Sequence, residues 1–185
     1  MSTEGGSDPL LPLLQGTVKG DHDIFRQLYD VTNRRLNVYL RRMLPSQDGI
    51  EDILAETYTQ IWKNAASFKN QSQVLTWMIG ISRNLALKEI SKRRYHDDIQ
   101  DHPEIKAPSD NHEAANRREI ISRALARLSV RQREVLDLAF YQELSYQDIS
   151  QLLSIPKNTV KSRVFYAKAA LKTELDKMGI SENDI

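Results

Sequence analysis

From Asp21 onward, apolar residues return at strides of three and four, the spacing that gives a helix one buried face. Phe25, Leu28, Tyr29, Leu36 and Leu40 mark a first long stretch, with Arg34, Arg35, Arg41 and Arg42 on other faces and Pro45 to Gly49 closing it. Ile50, Ile53, Leu54, Tyr58, Ile61 and Trp62 mark a second, whose polar side shows Glu51, Asp52, Glu56 and Gln60. The period then breaks: FKNQSQV, 68–74, reads as a polar loop. It resumes over 76–94 with Trp77, Ile81, Leu85 and Ile90 as the expected inner stripe, and Arg83, Asn84, Lys88, Lys92, Arg93 and Arg94 opposite. Farther on, Asp110 with Glu113 is placed to cap a helix burying Ile120, Ile121, Ala124, Leu125 and Leu128. Ser129 with Gln132 is placed to cap another, running through Val135, Leu136 and Phe140. No stretch alternates as a strand would, so the expected fold class is all-α.

The segment Leu144 to Leu171, LSYQDISQLLSIPKNTVKSRVFYAKAAL, carries the most specific pattern. Ser145 is placed to cap a short helix with Asp148 three residues on, and Ile149, Leu152 and Leu153 form its apolar face. Ser154, Ile155 and Pro156 end it, and Pro suits the start of the helix that follows. There Val160, Val164, Ala167 and Leu171 give a buried stripe, while Lys157, Asn158, Thr159, Lys161, Ser162, Arg163, Tyr166, Lys168 and Lys172 occupy the other faces. This is the sequence form of a helix-turn-helix. Its cations can neutralise phosphates, and Asn, Ser, Thr and Arg near the start of such a helix can reach base edges in the major groove. A basic amphipathic surface helix is the simpler alternative; it does not account for the turn chemistry and the acid-free face together.

Composition sharpens this picture only in places. At 185 residues, two small helical domains are preferred over one medium domain. Net charge is only +1, so attraction to nucleic acid has to come from local segregation of charge. Cysteine is absent, which removes disulfides and thiolate metal sites and fits a reducing, cytosolic compartment. The N-terminus has neither the basic lead nor the apolar run of a secretion signal or membrane span. Between the blocks, Tyr95 to Asp110 sets Asp97, Asp98, Asp101 and Glu104 against one Lys106, with two prolines, and reads as a flexible acidic linker.

Two nucleic-acid surfaces on one tether resemble the extracytoplasmic-function (ECF, group IV) sigma factors of the sigma-70 family. The match runs from about Gly20 to Leu175, leaving the tether unmatched. It is carried by GDHDIFRQLYD at 20–30, EDILAETYTQIW at 51–62, TWMIGISRNLALKEISKRR at 76–94 and LSVRQREVLDLAFYQELSYQDISQLLSIPKNTVKSRVFYAKAAL at 128–171. By this resemblance the domains are a flexible N-terminus with a short helix at 1–19, a region 2 domain at 20–95, a linker at 96–111, a region 4 domain at 112–176 and a tail at 177–185. The implied function is to bind RNA polymerase core and direct promoter-specific initiation in a stress or envelope response. An anti-sigma factor is the implied regulator, able to hold the protein at the inner membrane. No cofactor, metal or membrane insertion is expected.

The resemblance also assigns roles to residues. Asp52, Ile53, Glu56 and Gln60 lie on the helix that docks on the polymerase. The loop from Phe68 and the helix after it recognise the minus-ten element, the loop capturing a flipped base, with Lys69, Asn70, Arg83, Asn84, Lys88 and Arg93 as the DNA-facing residues; Trp77 is read as core. Lys157, Asn158, Thr159, Lys161, Ser162, Arg163, Tyr166 and Lys168 face the minus-thirty-five element in duplex form. The chain departs from the family pattern at Lys69-Asn70, where Arg-Gly is frequent, and at Glu89-Ile90-Ser91, where more basic residues are usual. It also carries Ser154 and Asn158 where glycine is common, and Tyr166 where arginine is. Ser154 is therefore expected to alter the turn. A tether of about sixteen residues extends to at most about 55 Å, enough for two elements roughly 50 Å apart.

Other classes fit less well. An enzyme finds little support: His22, His96, His102 and His112 have no metal-ligand spacing, and there is no glycine-rich phosphate loop. Glu51, Asp52 and Glu56 could take Mg²⁺, but carboxylates on a solvated helix are commonplace. A helix-turn-helix activator acting without the polymerase would leave the basic last helix of the first block unexplained. A sigma mimic that sequesters an anti-sigma protein would need a receiver domain for which this length leaves no room.

Overall fold

The computed structural model describes residues 8–44, 46–97 and 114–180. They form eight α-helices and no strand among the described residues, and the chain divides into two compact units at 99/100.

In the first unit, α1 (Leu11–Val18) and α2 (His22–Met43) meet at a tight corner. Gly20 takes a positive φ of 79°, and the Asp21 carboxylate then accepts from the amides of Asp23 and Ile24, both at 3.0 Å, satisfying donors that have no partner inside the helix. α3 (Ile50–Asn64) starts at left-handed Gly49 and ends in a 3₁₀ turn over Ala65–Ser67. α4 (Val74–Asp97) follows a six-residue connection. Leu28, Leu36, Tyr39, Leu40 and Met43 of α2 pack with Ile50, Leu54 and Ile61 of α3 and with Met78 and Ile79 of α4 to make the core, while Leu14 of α1 closes one edge.

Within this core the Thr32 hydroxyl donates to the Leu28 carbonyl at 2.6 Å. Its proton being used there, Thr32 accepts from the Tyr58 hydroxyl at 2.9 Å. Burial holds the Tyr58 hydroxyl well above its ordinary pKa, against the opposing effect of the Thr32 bond, so it remains a donor across the physiological range. Around it His22 stacks on Trp62, and Phe25 meets both Trp62 and Tyr58 edge-on, locking α2 to α3. Tyr29, expected on the inner face, contacts Tyr58 but stays exposed at the rim.

α4 corrects the expected phase. Its inward face is Leu75, Met78, Ile79, Ser82 and Ala86, and it starts at Val74 rather than Thr76. Trp77, Ile81 and Leu85 are only half-buried. Trp77 and Asn84 are seven residues apart, roughly two turns, so Trp77 shares a side with Asn84 and Lys88 instead of opposing them.

The second unit holds α5 (Ala114–Ala126), α6 (Val130–Leu136), α7 (Tyr146–Leu153) and α8 (Lys157–Lys177). Ser129 and Gln132 form the reciprocal cap expected of them. Ala124, Leu128, Val135, Leu138, Leu144, Ile149, Val160, Val164 and Ala167 make its core. After α6 the chain widens into a π-helical turn, Asp137–Tyr141, with the Gln142 amide donating to the Asp137 carbonyl at 2.9 Å. The extra residue per turn brings Leu138 inward and swings Phe140, expected in the core, out to 55% exposure. α4 runs on to Asp97, so Tyr95, His96 and Asp97 of the expected linker are helical; Asp110, Glu113 and the rest of the linker lie outside the described residues.

Tyr58→Phe removes one buried donor without changing shape, and Tyr58→Ala also empties the aromatic joint. The first should cost about 1 kcal/mol and the second about 3 to 5 kcal/mol. Tryptophan fluorescence during urea unfolding measures both, because Trp62 and Trp77 are the only tryptophans and report the first unit alone.

Candidate polymerase and DNA interfaces

On α3 the side chains turned away from the core are Glu51, Asp52, Ala55, Glu56, Thr59 and Lys63, all exposed. Asp52, Glu56 and Gln60 follow one another at four-residue spacing, and the Gln60 amide donates to the Glu56 carboxylate at 3.1 Å. That bond orients the carboxylate while leaving its charge on the surface. Ile53, placed with this strip from the sequence, is only 9% exposed; it packs inward and supports the strip without presenting itself.

The connection 68–73 carries Lys69 and Asn70 outward. Phe68 anchors its start against Trp77, ring centroids 5.5 Å apart. Asn70 takes φ 53°, a left-handed conformation that Asn tolerates better than most residues. It thus replaces the family's frequent glycine without changing the backbone that glycine would permit. Beyond the loop, Trp77, Ile81, Asn84 and Lys88 line the outer side of α4, with Asn84 and Lys88 exposed. Arg83 stands on the flank, half-buried and already engaged in a contact. The side chain of Arg93 lies outside the described residues.

The helix-turn-helix is built as its caps predict. The Ser145 hydroxyl accepts from the Asp148 amide at 3.1 Å and starts α7. At the other end Ser154 adopts φ 53°, ψ 45°. The Ile155 amide returns to the Ser150 carbonyl at 3.1 Å and the Ser150 hydroxyl donates to the Ile155 carbonyl at 2.6 Å, clamping the turn. The expectation that Ser154 would alter the turn is not met: it occupies the left-handed conformation a glycine supplies at a helix end. Pro156 stands just before α8, not inside its first turn, and no side chain caps that helix.

α8 sorts its predicted residues into two groups. Asn158, Lys161, Ser162, Tyr166 and Lys168 are exposed, with Lys157 at the tip, whereas Thr159 and Arg163 sit half-buried on the flank. The Ser162 hydroxyl donates back to the Asn158 carbonyl at 3.1 Å. Phe165, not among the residues named from the sequence, is 67% exposed, as is its neighbour Tyr166. An apolar ring on the outer face of a helix whose core stripe is already complete was the available signal. Lys168 lies over the Phe140 ring, 5.0 Å from its centroid, so the displaced Phe140 steadies a cation on this surface.

The first unit thus carries an acidic strip beside a polar loop, and the second a helix-turn-helix with a basic outer face. Residues 28–95 match the family model "Sigma-70 region 2" and residues 118–171 match "Sigma-70, region 4". The chain belongs to the sigma-70 family, as an ECF sigma factor: it binds RNA polymerase and directs promoter-specific initiation, a role in transcription regulation. It is 29% identical over 174 residues to the ECF sigma factor SigL of Mycobacterium tuberculosis, covering 91% of this chain and 98% of that one. It is 28% identical over 171 residues to SigW of Bacillus subtilis, covering 85% and 91%. Among solved structures, RpoE of Bartonella quintana, in complex with the anti-sigma factor NepR, has the same fold, with TM-score 0.71 and 24% identity over 82% of this chain and 96% of that one. CnrH, in complex with the cytosolic domain of CnrY, gives TM-score 0.68 and 19% identity over 90% and 97%. Among the described residues no helix is long and apolar enough to cross a membrane, and no cluster of side chains could hold a metal ion.

Because left-handed backbone costs a side chain energy that glycine avoids, Ser154→Gly should stabilise the second unit by up to about 1 kcal/mol and Ser154→Val should destabilise it by at least as much. Far-ultraviolet circular dichroism melts, with the first unit followed separately by tryptophan, measure both.

Proposed function

We propose that the three outward faces divide the work of initiation: α3 holds the polymerase, the 68–73 loop with the outer side of α4 takes the opened minus-ten element, and α8 reads the minus-thirty-five duplex. The observation that carries this reading is the segregation of charge in a chain of net +1. The exposed side of α3 offers Glu51, Asp52 and Glu56 before its first cation, Lys63, while residues 157–173 of α8 contain no acid at all. An acidic strip suits a basic partner protein; an acid-free helix, whose first amides no side chain caps, suits phosphate. Asn158, Ser162, Phe165 and Tyr166 then face the base edges, with Lys157, Lys161 and Lys168 nearer the backbone. Arg163 and Thr159 reach the groove from the side. On the first unit, Lys69, Asn70, Asn84 and Lys88 line the single-strand surface, with Arg83 and Arg93 beside them and Trp77 half-open at its base.

Regulation by an anti-sigma protein follows from the same surfaces, since each is useless to the polymerase while a partner covers it. The fold likeness to RpoE of Bartonella quintana, solved in complex with the anti-sigma factor NepR, supports this part. Activity then belongs in the cytoplasm, with sequestration at the inner membrane where the partner is itself anchored there.

Reversing both charges, Asp52→Lys with Glu56→Lys, should weaken capture of core polymerase by at least about tenfold while leaving duplex binding by the second unit intact; equal capture in a pull-down removes the strip from the interface. On α8, Asn158→Ala and Phe165→Ala should each relax preference at particular base pairs by about 1 to 3 kcal/mol, Phe165 most where a thymine methyl is presented. Lys157→Ala should instead weaken all sequences alike and lower the salt dependence by about one ion. Competition binding on a randomised minus-thirty-five library separates the two behaviours.

A further inference from the structure

The N-terminal arm reaches across the first unit to the loop read above as the base-capturing element. The Asp8 carboxylate divides its two oxygens: one accepts from the Leu10 amide at 2.9 Å, at the start of α1, and the other accepts from the Val74 amide at 2.6 Å, at the start of α4. The second bond joins residues 66 apart in sequence, and Val74 is fully buried. α1 also packs against the 3₁₀ turn Ala65–Ser67, which precedes the loop. Residues 68–73 are therefore gripped at both ends by the same short arm. The arm is seated closely on α2, since a Cβ on Gly16 would lie 2.6 Å from two carbons of Ile24.

We infer that Asp8 is a positioning residue for minus-ten recognition, holding the first turn of α4 closed so that Lys69 and Asn70 are presented at a fixed span. The physical reason is the Val74 amide. It is a first-turn donor with no acceptor inside its own helix, and it is buried. Without the Asp8 oxygen the turn has to open to find water, which lengthens the loop and loosens Phe68 from Trp77. A carboxylate is required because the two amides approach different oxygens; an isosteric amide side chain would turn its NH₂ group, a donor, toward one of them.

This inference rests on the reading of 68–73 as the base-capturing loop, and the experiment separates the two. Holoenzyme assembled from full-length protein and core polymerase is titrated with two labelled single-stranded oligonucleotides. One is the non-template minus-ten strand of a promoter found by run-off transcription on genomic fragments, and the other carries an abasic site at the captured base. Asp8→Asn, which keeps the shape and loses one acceptor, should lower affinity for the intact strand about tenfold, close to that for the abasic strand, the size of one lost charge-assisted hydrogen bond. Core capture and minus-thirty-five binding should not change. Gly16→Ala, which lifts the arm by a different residue, should move the intact-to-abasic ratio in the same direction. If Asp8→Asn keeps the wild-type ratio while Lys69→Ala with Asn70→Ala loses it, the loop reading stands and the role of Asp8 is overturned. If the loop variant also keeps the ratio, both are overturned. A fall in core capture by the same factor as in strand binding would show Asp8 to be merely structural and overturn its positioning role.

Discussion

Every α-helix leaves its first amides without partners inside the helix, and the way this chain supplies or withholds acceptors at those ends organises both units. Asp21 serves α2, Ser129 α6 and Ser145 α7, each from a residue adjacent in sequence. Such caps turn the chain sharply and fix where each helix begins, so the angle between neighbours is set before the core closes. α4 is served from far away by Asp8, which makes its start depend on the tertiary fold. α8 receives nothing from a side chain. α1 and α3 also begin without a side-chain cap at the N-cap position; on the proposed reading it is the open start of α8 that meets phosphate, which the helix dipole favours there.

How far the sequence discloses this depends on the range of the interaction. Local caps were legible, because Ser129-Gln132 and Ser145-Asp148 lie within one turn and their spacing is their mechanism. The all-helical class and the helix-turn-helix followed from the stride of apolar residues. The phase of α4 did not. Both of its sides carry apolar residues, so Trp77, Ile81 and Leu85 compose as plausible a stripe as Leu75, Met78 and Ile79, and only packing against α2 and α3 decides between them. Phe140 was misplaced for a different reason: a π-helical turn shifts the register by one residue, and no spacing announces it. Asp8 was invisible because its partner is 66 residues away. Of the candidate site, the charged and amide residues were selected by type. Phe165 was not among the residues singled out, although its exposure puts it on the same face as Tyr166, and Ile53, read in the apolar stripe and assigned to the docking helix by resemblance, is buried.

Two departures from the family's usual residues turn out to conserve backbone. Asn70 and Ser154 stand where glycine is frequent, and both keep the left-handed conformation that glycine would allow. Polar residues with short side chains bear that conformation at modest cost. Asn158 is a different kind of departure. It is absent from the positive-φ residues and sits inside regular helix, so its change from glycine leaves the path of the chain alone and adds a hydrogen-bonding group to the outer face of α8. Replacement of glycine thus means retained geometry in the first two cases and new chemistry in the third.

That distinction bears on how one scaffold can serve different promoters. The buried stripe of α8, Val160, Val164, Ala167 and Leu175, holds it to α6 and α7, and none of the residues on its exposed face takes part. Asn158, Ser162, Phe165 and Tyr166 can therefore change without opening a cavity, and on the proposed reading each change alters which base edges or methyl groups are favoured. Arg163 and Thr159 are less free, because their half-buried stems lie against the unit and a replacement there affects stability as well as selectivity. The acidic strip of α3 is separated from its core by the same logic, with Ile53 below and Asp52, Glu56 and Gln60 above. On the proposed reading its partner is one enzyme rather than many promoters, so constancy is expected on α3 and variation on α8.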